Sequence, residues 1–389
     1  MRIVEIREQS LSVASTLRNA AFDFSQMTTS VVAVVTDRRR HGRPVVGYAF
    51  TSTGRHACGG PMRARFIPRL MAAQPDGLLG EDGLIDPERA LAVMLAGEKP
   101  GGHSERSIPI GTLETAIWDA VAKAADRPLW HLLAERYCGG RAPADVFCYV
   151  GGGWYRPGAG LAELQDEIRR HLDAGYTLVK IKVGGLAPDA DMARIDAALE
   201  VLGDPQALAL DANGALDRAR AMALADRLAP LGLRWFEEPV DPLDLSGMAA
   251  LAARYAPPLA TGENLFSLQD VENLLAFGGF RPGHDILQLD PPQAYGLASY
   301  ARLAARLDAA GGRAGLFPHG GNLMSLAVVA GLGLGGCEAY PGVFGAFGGY
   351  GDAMVVRGGR LALPELPGIG FEGHSEFSAR AEGLVADLH

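Results

Sequence analysis

The sequence is poor in cysteine and has no excess of positive charge, and both shortages limit what the protein can be. Four cysteines occur in 389 residues, widely scattered and without a C-x-x-C pair. This usage predicts a reduced, cytoplasmic protein. The net charge of −9 and the pI near 5.5 argue against a nucleic-acid partner.

Long apolar runs are missing as well. No stretch is long and clean enough to span a bilayer. Residues 1–7 alternate like a strand and lack the apolar core of a signal peptide. The only basic run, residues 38–40, is predicted to lie at a solvated hairpin turn. We therefore expect neither a membrane nor a nucleic acid as partner.

What is present is an ordinary globular composition, 48% hydrophobic and 21% charged, arranged in two different patterns. Antiparallel strands are predicted at 2–8, 29–36 and 45–50. The apolar spacing is helical from about 61 to 126. The first third is therefore predicted to be α+β.

From about residue 145, short apolar strands alternate with Ala- and Leu-rich helical segments. This alternation predicts parallel strands with crossover helices, and eight such strands close a barrel. A doubly wound open sheet is the alternative, but it usually has fewer repeats and a Gly-rich dinucleotide turn, which this sequence lacks. The predicted strands are 146–150, 178–183, 207–211, 233–237, 258–262, 285–290, 314–318 and 336–340.

Three carboxylates, Asp211, Glu237 and Glu263, follow successive apolar runs. The intervals 211 to 237 and 237 to 263 are 26 residues each, about the length of one βα unit. Each side chain is therefore expected at the C-terminal mouth of its strand, where barrel enzymes carry their active sites. Clustered carboxylates repel one another unless a cation is present, and an all-oxygen ligand set favours Mg²⁺.

Two lysines, Lys180 and Lys182, lie two positions apart on the second predicted strand and so share one face. If that face is the barrel lumen, burial and mutual repulsion lower a lysine pKa, as a general base requires. A solvated edge pair is the alternative, but these lysines lie within an apolar run.

His319 follows the seventh predicted strand, and Asp290 ends the sixth. Adjacent strands place these ends side by side, so Asp290 would orient and charge-stabilise the imidazole. A structural histidine is the alternative. Because the second strand lies opposite the sixth and seventh, Lys182 and His319 would face a substrate from two sides. That arrangement suits removal of a proton next to a carboxylate.

The set K-x-K, D-x-N, E-E-P, G-E-N, D and H at successive strand ends resembles the enolase superfamily, mandelate racemase subgroup, over the whole chain. The resemblance implies an α/β fold, a (β/α)7β modified TIM barrel with an α+β capping domain built from the N-terminal third and the C-terminal tail. The implied boundaries are 1–130 for the capping domain, 131–340 for the barrel and 341–389 for a segment that returns to the capping domain.

The resemblance also assigns roles. It implies Mg²⁺ held by the three carboxylates, Lys182 as one base, and His319 with Asp290 as the other. Lys180 would tune Lys182. Glu338, at the end of the eighth strand, matches a family acid that hydrogen-bonds the substrate carboxylate.

Three weaker candidates for substrate binding remain. Lys99 lies in a Gly- and Pro-flanked loop, where it either clamps a second substrate carboxylate or is an exposed loop lysine. Asn213 shares the lumen face with Asp211 and would orient a metal ligand or the substrate. Asn19 would be a contact from the capping domain.

Several segments narrow the resemblance to the D-tartrate dehydratase family, a group of hydro-lyases. They are 17–20 with 27–30, 97–103, 318–321 and 366–373. This implies a Mg²⁺-dependent dehydratase of a hydroxy diacid or acid sugar. Lys182 would abstract the α-proton, a metal-stabilised enediolate would form, and His319 would protonate the departing β-hydroxyl to leave a keto acid.

Residues 51–60, Pro291-Pro292 and Asn322 depart from that family's pattern, which leaves the substrate open. Two other functions stay open as well. Opposed bases also suit a racemase or epimerase of an α-hydroxy acid, and the barrel also suits non-catalytic ligand binding. Family members are commonly oligomers, so we expect a homo-oligomer with a small carboxylate substrate.

Overall fold

The structure, a computed structural model, describes residues 1–13, 15–156 and 158–388. It begins with a three-stranded antiparallel sheet, β1 (Ile3–Ser12), β2 (Thr28–Arg40) and β3 (Arg43–Phe50), in the order β1-β2-β3. The basic run ends β2 beside the two-residue turn His41-Gly42, where both residues have positive φ. The predicted α+β start of the chain is confirmed.

Helices follow this sheet: α1 (Gly59–Pro61), α2 (Ile67–Ala72), α3 (Pro87–Leu95), α4 (Ser104–Ala124) and α5 (Leu129–Cys138). The long helix α4 packs directly on the sheet. Gly47 permits this approach, because a Cβ at that position would lie 2.1 Å from the carbonyl oxygen of Ala116.

Parallel strands and helices then alternate. The strands are β4 (Asp145–Gly152), β5 (Val179–Lys182), β6 (Leu208–Asp211), β7 (Phe236–Glu237), β8 (Leu259–Thr261), β9 (Ile286–Leu287) and β10 (Cys337–Ala339). The helices are α6 (Leu161–Asp173), α7 (Pro188–Leu202), α8 (Arg218–Leu228), α9 (Leu245–Ala252), α10 (Leu268–Phe277), α11 (Leu297–Asp308) and α12 (Leu323–Leu332).

The seventh predicted strand, 314–318, is reduced to a single parallel bridge between Leu316 and Leu287. The ring of strands still closes there. The N–H of Phe317 donates to Leu287 at 3.0 Å, the N–H of Gly335 donates to Leu316 at 3.0 Å, and β10 pairs in parallel with β4. The arrangement is the (β/α)7β barrel with a capping domain, so the predicted fold class is confirmed.

The lumen is built in two layers, because side chains two positions apart on a strand share a face. The lower layer is apolar, and its fully buried members include Leu178, Ala209 and Trp235. The residues two positions further along the same strands are Lys180, Asp211 and Glu237. Strand periodicity therefore places a polar layer directly above an apolar one, at the C-terminal mouth of the barrel.

The tail divides into two parts. Strands β11 (Val356–Arg357) and β12 (Arg360–Ala362) form a hairpin that pairs with β4, so the first part attaches to the barrel, contrary to expectation. Helix α13 (Ser375–Gly383) then packs on the capping sheet, where the rings of Phe377 and Phe50 lie 5.3 Å apart. Within the described part of the chain, the helices fall short of the length and apolarity that a membrane crossing requires.

Glu114 of α4 joins the capping domain to the barrel. Its carboxylate accepts the N–H groups of Leu297 and Ala298, at 2.7 and 3.0 Å, and so caps the start of α11. The indole of Trp118 donates to the same carboxylate at 2.8 Å. Burial raises the pKa of Glu114 to about 7, and these hydrogen bonds oppose the shift only in part.

The raised pKa of Glu114 predicts a pH-dependent contribution to stability. Between about pH 4.5 and 7 the unfolded chain releases this proton while the folded chain keeps it, so the free energy of unfolding falls as pH rises. We expect wild type to lose on the order of 3 kcal/mol more than Glu114→Gln across this window. Urea unfolding at pH 5 and pH 8 measures the difference.

The control is Glu105→Gln, which removes an exposed carboxylate from the same helix and should keep the wild-type pH dependence. Equal pH dependence in wild type and Glu114→Gln would contradict the assignment.

Candidate active site

Asp211, Glu237 and Glu263 converge at the barrel mouth. Parallel register aligns Asp211 with Glu237, and each ends its strand. Glu263 comes two residues after the end of β8, beyond Gly262, whose φ of 128° turns the chain and whose Cβ would lie 2.8 Å from the N–H of Gln288. One oxygen from each carboxylate lies within 4.8 Å of the others.

Hydrogen bonds fix the first two carboxylates in place. Glu237 Oε2 accepts from the indole of Trp235 at 3.1 Å and from the amide of Gln288 at 2.8 Å. Asp211 accepts from the backbone N–H of Asn213 at 2.8 Å and from its side-chain amide at 3.1 Å. Asn213 has a positive φ, and its Oδ1 is buried without a hydrogen-bond partner. Partners of this kind hold the oxygen donors of a metal site in position.

Lys180 lies among the carboxylates. Its Nζ lies 2.8 and 2.9 Å from the two oxygens of Glu237 and 2.8 Å from Glu338 Oε1. Burial acts to lower the pKa of Lys180, but the charges of Glu237 and Glu338 outweigh it and raise this pKa well above its usual range. The expected lowering is therefore wrong for Lys180.

Lys182 shares the lumen face with Lys180, as predicted, but has different neighbours. Its Nζ forms an ion pair with Asp211 Oδ2 and lies 4.6 Å from the centre of the Trp154 ring. The ammonium reaches the triad at Asp211, on the side of β5.

The charge of this cluster fits a bound cation. Five buried or half-buried carboxyl groups contact three cationic side chains: Asp211, Glu237, Glu263, Asp290 and Glu338 pair with Lys180, Lys182 and His319. Burial and the nearby Asp211 charge raise the pKa of Glu237 to about 7. Octahedral ligation at about 2.1 Å places opposite oxygens about 4.2 Å apart, close to the spread of the triad. The site therefore fits Mg²⁺.

His319 reaches the triad from a different direction. Its Nε2 lies 3.4 Å from Glu263, and its Nδ1 lies 3.2 Å from Asp290 Oδ2, so the predicted His–Asp pair is formed. Burial acts to lower the pKa of His319, but Glu263, Asp290 and Glu338 outweigh it and raise it to about 9. The charges of these carboxylates favour the protonated imidazole. Burial also raises the pKa of Asp290.

A cavity of about 120 Å³ opens above these groups. Lys182, His319 and Glu263 line it together with Asn213 and Asn19, so the structure brings these predicted residues together. Residues from both the capping domain and the barrel form its walls.

Three residues predicted to bind the substrate differ from that expectation in their contacts or their exposure. Asn19 lines the cavity, but its side-chain oxygen accepts from the N–H groups of Ala21 and Phe22, at 2.9 and 2.6 Å, which holds the capping loop in shape. Glu338 is fully buried below the cavity lining, beside Lys180. Lys99 is exposed on its loop and does not belong to the cavity wall.

Aromatic side chains form one wall of the cavity. Phe24 belongs to the capping domain, Trp154 to the barrel and Phe344 to the C-terminal segment. The ring centroid of Phe24 lies 5.5 Å from that of Trp154 and 5.3 Å from that of Phe344. Tyr340 completes the wall, 5.2 Å from Phe344. This apolar side limits access of water to Lys182, whose ammonium lies over Trp154.

Sequence patterns missed several residues around the site. Gln288, which holds Glu237, lies two positions before Asp290 in the predicted strand 285–290, so the alternation of side chains in that strand could have indicated its face. Glu238 has a positive φ and accepts from the amide of Asn264 at 2.7 and 2.9 Å. Burial, and then the Glu263 charge, raises the pKa of Glu238 well above its usual range. Arg55 lines the cavity from the capping loop, and no periodicity signals it.

Asn322 and Pro292, which depart from the D-tartrate dehydratase pattern, contact residues of the capping domain. Asn322 caps α12 through its side-chain oxygen, and its amide donates to Ser52 of the capping loop at 3.2 Å. The carbonyl of Pro292 lies where a Cβ on Gly111 would clash, at 2.0 Å.

Comparison with known proteins identifies similar chains. The family model described as Enolase C-terminal domain-like matches residues 163–377. The L-talarate/galactarate dehydratase of Salmonella typhimurium is 30% identical over 299 residues, which cover 76% of this chain and 71% of that protein. The 3,6-anhydro-alpha-L-galactonate cycloisomerase of Streptomyces coelicolor is 31% identical over 271 residues, which cover 69% of this chain and 70% of that protein.

A solved structure is also similar to this chain, over a larger share of its length. The L-talarate/galactarate dehydratase from Salmonella typhimurium LT2, liganded with Mg and L-lyxarohydroxamate, is similar with a TM-score of 0.75 at 26% sequence identity. The match covers 94% of this chain and 88% of that chain.

Proposed function

Since the chain belongs to the enolase superfamily, we propose that it is a Mg²⁺-dependent hydro-lyase that dehydrates an acid sugar or hydroxy diacid to a keto acid. The observation that carries the proposal is the geometry around the carboxylate triad: Lys182 contacts it at Asp211, and His319 contacts it at Glu263. A relative named as a dehydratase of two acid sugars supports this reaction class.

Asp211, Glu237 and Glu263 would hold Mg²⁺, which when bound neutralises charge at the substrate carboxylate and makes the adjacent C–H easier to ionise. Lys180 contributes a permanent positive charge beside Glu237 and Glu338. Because its ammonium also contacts Glu338, which lies outside the triad and would keep its charge when a cation is bound, Lys180 would serve as a charge and not as a base.

Lys182 is the proposed base. The neutral amine is the form that accepts a proton, so the ammonium paired with Asp211 must first release its own proton to solvent, which a cation held at Asp211 would favour. Lys182 Nζ can then accept the α-proton from the substrate. The Trp154 ring keeps this nitrogen beside the triad and away from bulk water.

His319 is the proposed acid. The Asp290 carboxylate holds Nδ1, which leaves the Nε2–H directed to the triad and the cavity. Donation of this proton to the β-hydroxyl lets it leave as water, and the resulting enol ketonises. Asp290 is a positioning residue here, because it acts through the imidazole.

A racemase or epimerase and a ligand-binding barrel are the two other functions that the test described below distinguishes. The cycloisomerase among the relatives shows that similar chains carry other activities, and a racemase uses opposed groups on one carbon. The tartrate specificity, the homo-oligomer and the roles of Asn19 and Glu338 stay predictions.

The proposal predicts that keto acid forms from one or more acid sugars or hydroxy diacids only when Mg²⁺ is present. The test is a screen that includes tartrate isomers, galactarate and galactonate in D₂O, read by keto-acid formation and proton NMR. Chelation of divalent ions should lower the rate by at least about 10³-fold, because charge stabilisation by the ion is lost, and Mg²⁺ should restore it.

Deuterium at the α-carbon of an intact hydroxy acid, without keto acid, would identify a racemase or epimerase instead. Absence of both products across the screen would favour a ligand-binding barrel.

A further inference from the structure

Arg55 projects from the capping domain into the wall of the active-site cavity. It follows Gly54, where an added methyl would lie 3.6 Å from Cε1 of His319. Arg55 and the proposed acid therefore line the same cavity, whereas Lys182 contacts the triad at Asp211. A substrate whose reacting carbons lie at the triad would extend past His319 toward Arg55.

The charge of Arg55 is not neutralised by the protein. Lys182 pairs with Asp211, and His319 pairs with Asp290. Within the described ranges, Arg55 is the cation of the cavity wall that has no carboxylate within ion-pair distance. A half-buried guanidinium without a counter-charge favours an anionic ligand.

The guanidinium is also held ready for such a ligand. One N–H donates to the carbonyl of Gly54 at 2.7 Å, and another donates to Asn264 Oδ1. The ring of Phe266 lies 5.3 Å from Arg55 Cζ. Both acceptors are neutral, and a guanidinium has five N–H donors, so three of them remain for a planar carboxylate.

The partner Asn264 connects this arginine to the metal site. Asn264 directly follows the triad residue Glu263, and its amide is fixed by both oxygens of Glu238. Its carbonyl oxygen is therefore directed to Arg55. The position of the guanidinium is set by the barrel mouth as well as by the capping loop.

We propose that Arg55 binds the distal carboxylate of the substrate, so that the preferred substrates are hydroxy diacids rather than acid sugars with a single carboxylate. This inference rests on the proposed function and names its substrate class. Lys99, which the sequence indicated for the same task, is exposed and outside the cavity wall.

The experiment compares galactarate with galactonate, which differ only in the distal carboxylate. Wild type should have the higher kcat/KM for galactarate. Arg55→Met should lower kcat/KM for galactarate roughly 10- to 100-fold, mainly through KM, and change that for galactonate less than about threefold. Arg55→Lys, which keeps the charge but loses the planar fork, should fall between. Lys99→Met is the matched control and should behave as wild type.

Binding to the Mg²⁺-loaded protein, measured by calorimetry, separates this inference from the proposed function. If neither acid is turned over, tighter binding of galactarate than galactonate that Arg55→Met abolishes still supports the subsite. The inference is overturned by three results: a wild type that prefers galactonate, an Arg55→Met variant that keeps the galactarate preference, or loss of that preference in Lys99→Met alone.

Discussion

Replacing Lys182 with alanine is expected to abolish keto-acid formation, with a loss of at least about 10³- to 10⁴-fold in kcat, because the proposed base is gone. Mg²⁺ binding should persist, since Asp211 then loses its ammonium partner and keeps its charge for the ion. Steady-state kinetics and calorimetric titration with Mg²⁺ measure the two quantities.

The matched variant is Lys182→Arg. A guanidinium preserves the positive charge beside Asp211 but stays protonated at neutral pH, so it cannot accept the α-proton. Both variants should be inactive if Lys182 is a base. Substantial activity in Lys182→Arg would mean that position 182 supplies only charge, and the proton would need another acceptor.

Replacing His319 with asparagine is expected to separate the two halves of the reaction. Loss of the protonated imidazole should lower keto-acid formation by about 10²- to 10⁴-fold, because the β-hydroxyl no longer receives a proton. Lys182 should still remove the α-proton and return a deuteron in D₂O. Proton NMR of recovered substrate should therefore show α-deuteration without elimination.

His374 supplies the control for loss of a buried histidine. It accepts from Phe377 near the start of α13, far along the chain from the triad strands, and its Nε2 lies 3.1 Å from the carbonyl of Gly348. His374→Asn should leave the ratio of exchange to elimination unchanged. Equal loss of exchange and elimination in His319→Asn would instead assign this imidazole to the α-carbon, as a racemase requires.

The role of the capping domain follows from Arg55 and Phe24. Both reach the cavity from outside the barrel, one as an unpaired charge and one as part of an aromatic wall. The barrel supplies the proposed acid, the proposed base and the proposed metal ligands. We therefore expect changes in the capping loops to alter the choice of substrate more than the reaction chemistry.

The polar layer of the barrel was predictable because strand geometry is regular. Side chains alternate, and a βα unit has a nearly constant length, so equal spacing of Asp211, Glu237 and Glu263 was enough to bring them to one end. Because of the same regularity, Lys182 contacts the triad at Asp211 and His319 contacts it at Glu263. The seventh strand was predicted too long, because only one bridge at Leu316 forms there.

Electrostatics was less predictable. Two lysines on the same face of one strand suggested mutual repulsion and a lowered pKa, but Lys180 has Glu237 and Glu338 within 2.8 Å. Opposite charges at that distance outweigh burial and reverse the direction of the shift. Strand spacing shows which side chains share a face, but not which charges meet across the lumen.

The sequence alone therefore determined the barrel, the carboxylate triad, the lysine pair and the His–Asp pair, since each depends on periodicity within a strand or on neighbouring strand ends. Only the tertiary structure decided that Arg55 lines the cavity, that Lys99 does not, and that Glu114 joins α4 to α11. These contacts are made between loops and elements far apart in the chain, where no repeating backbone geometry relates residue number to position in space.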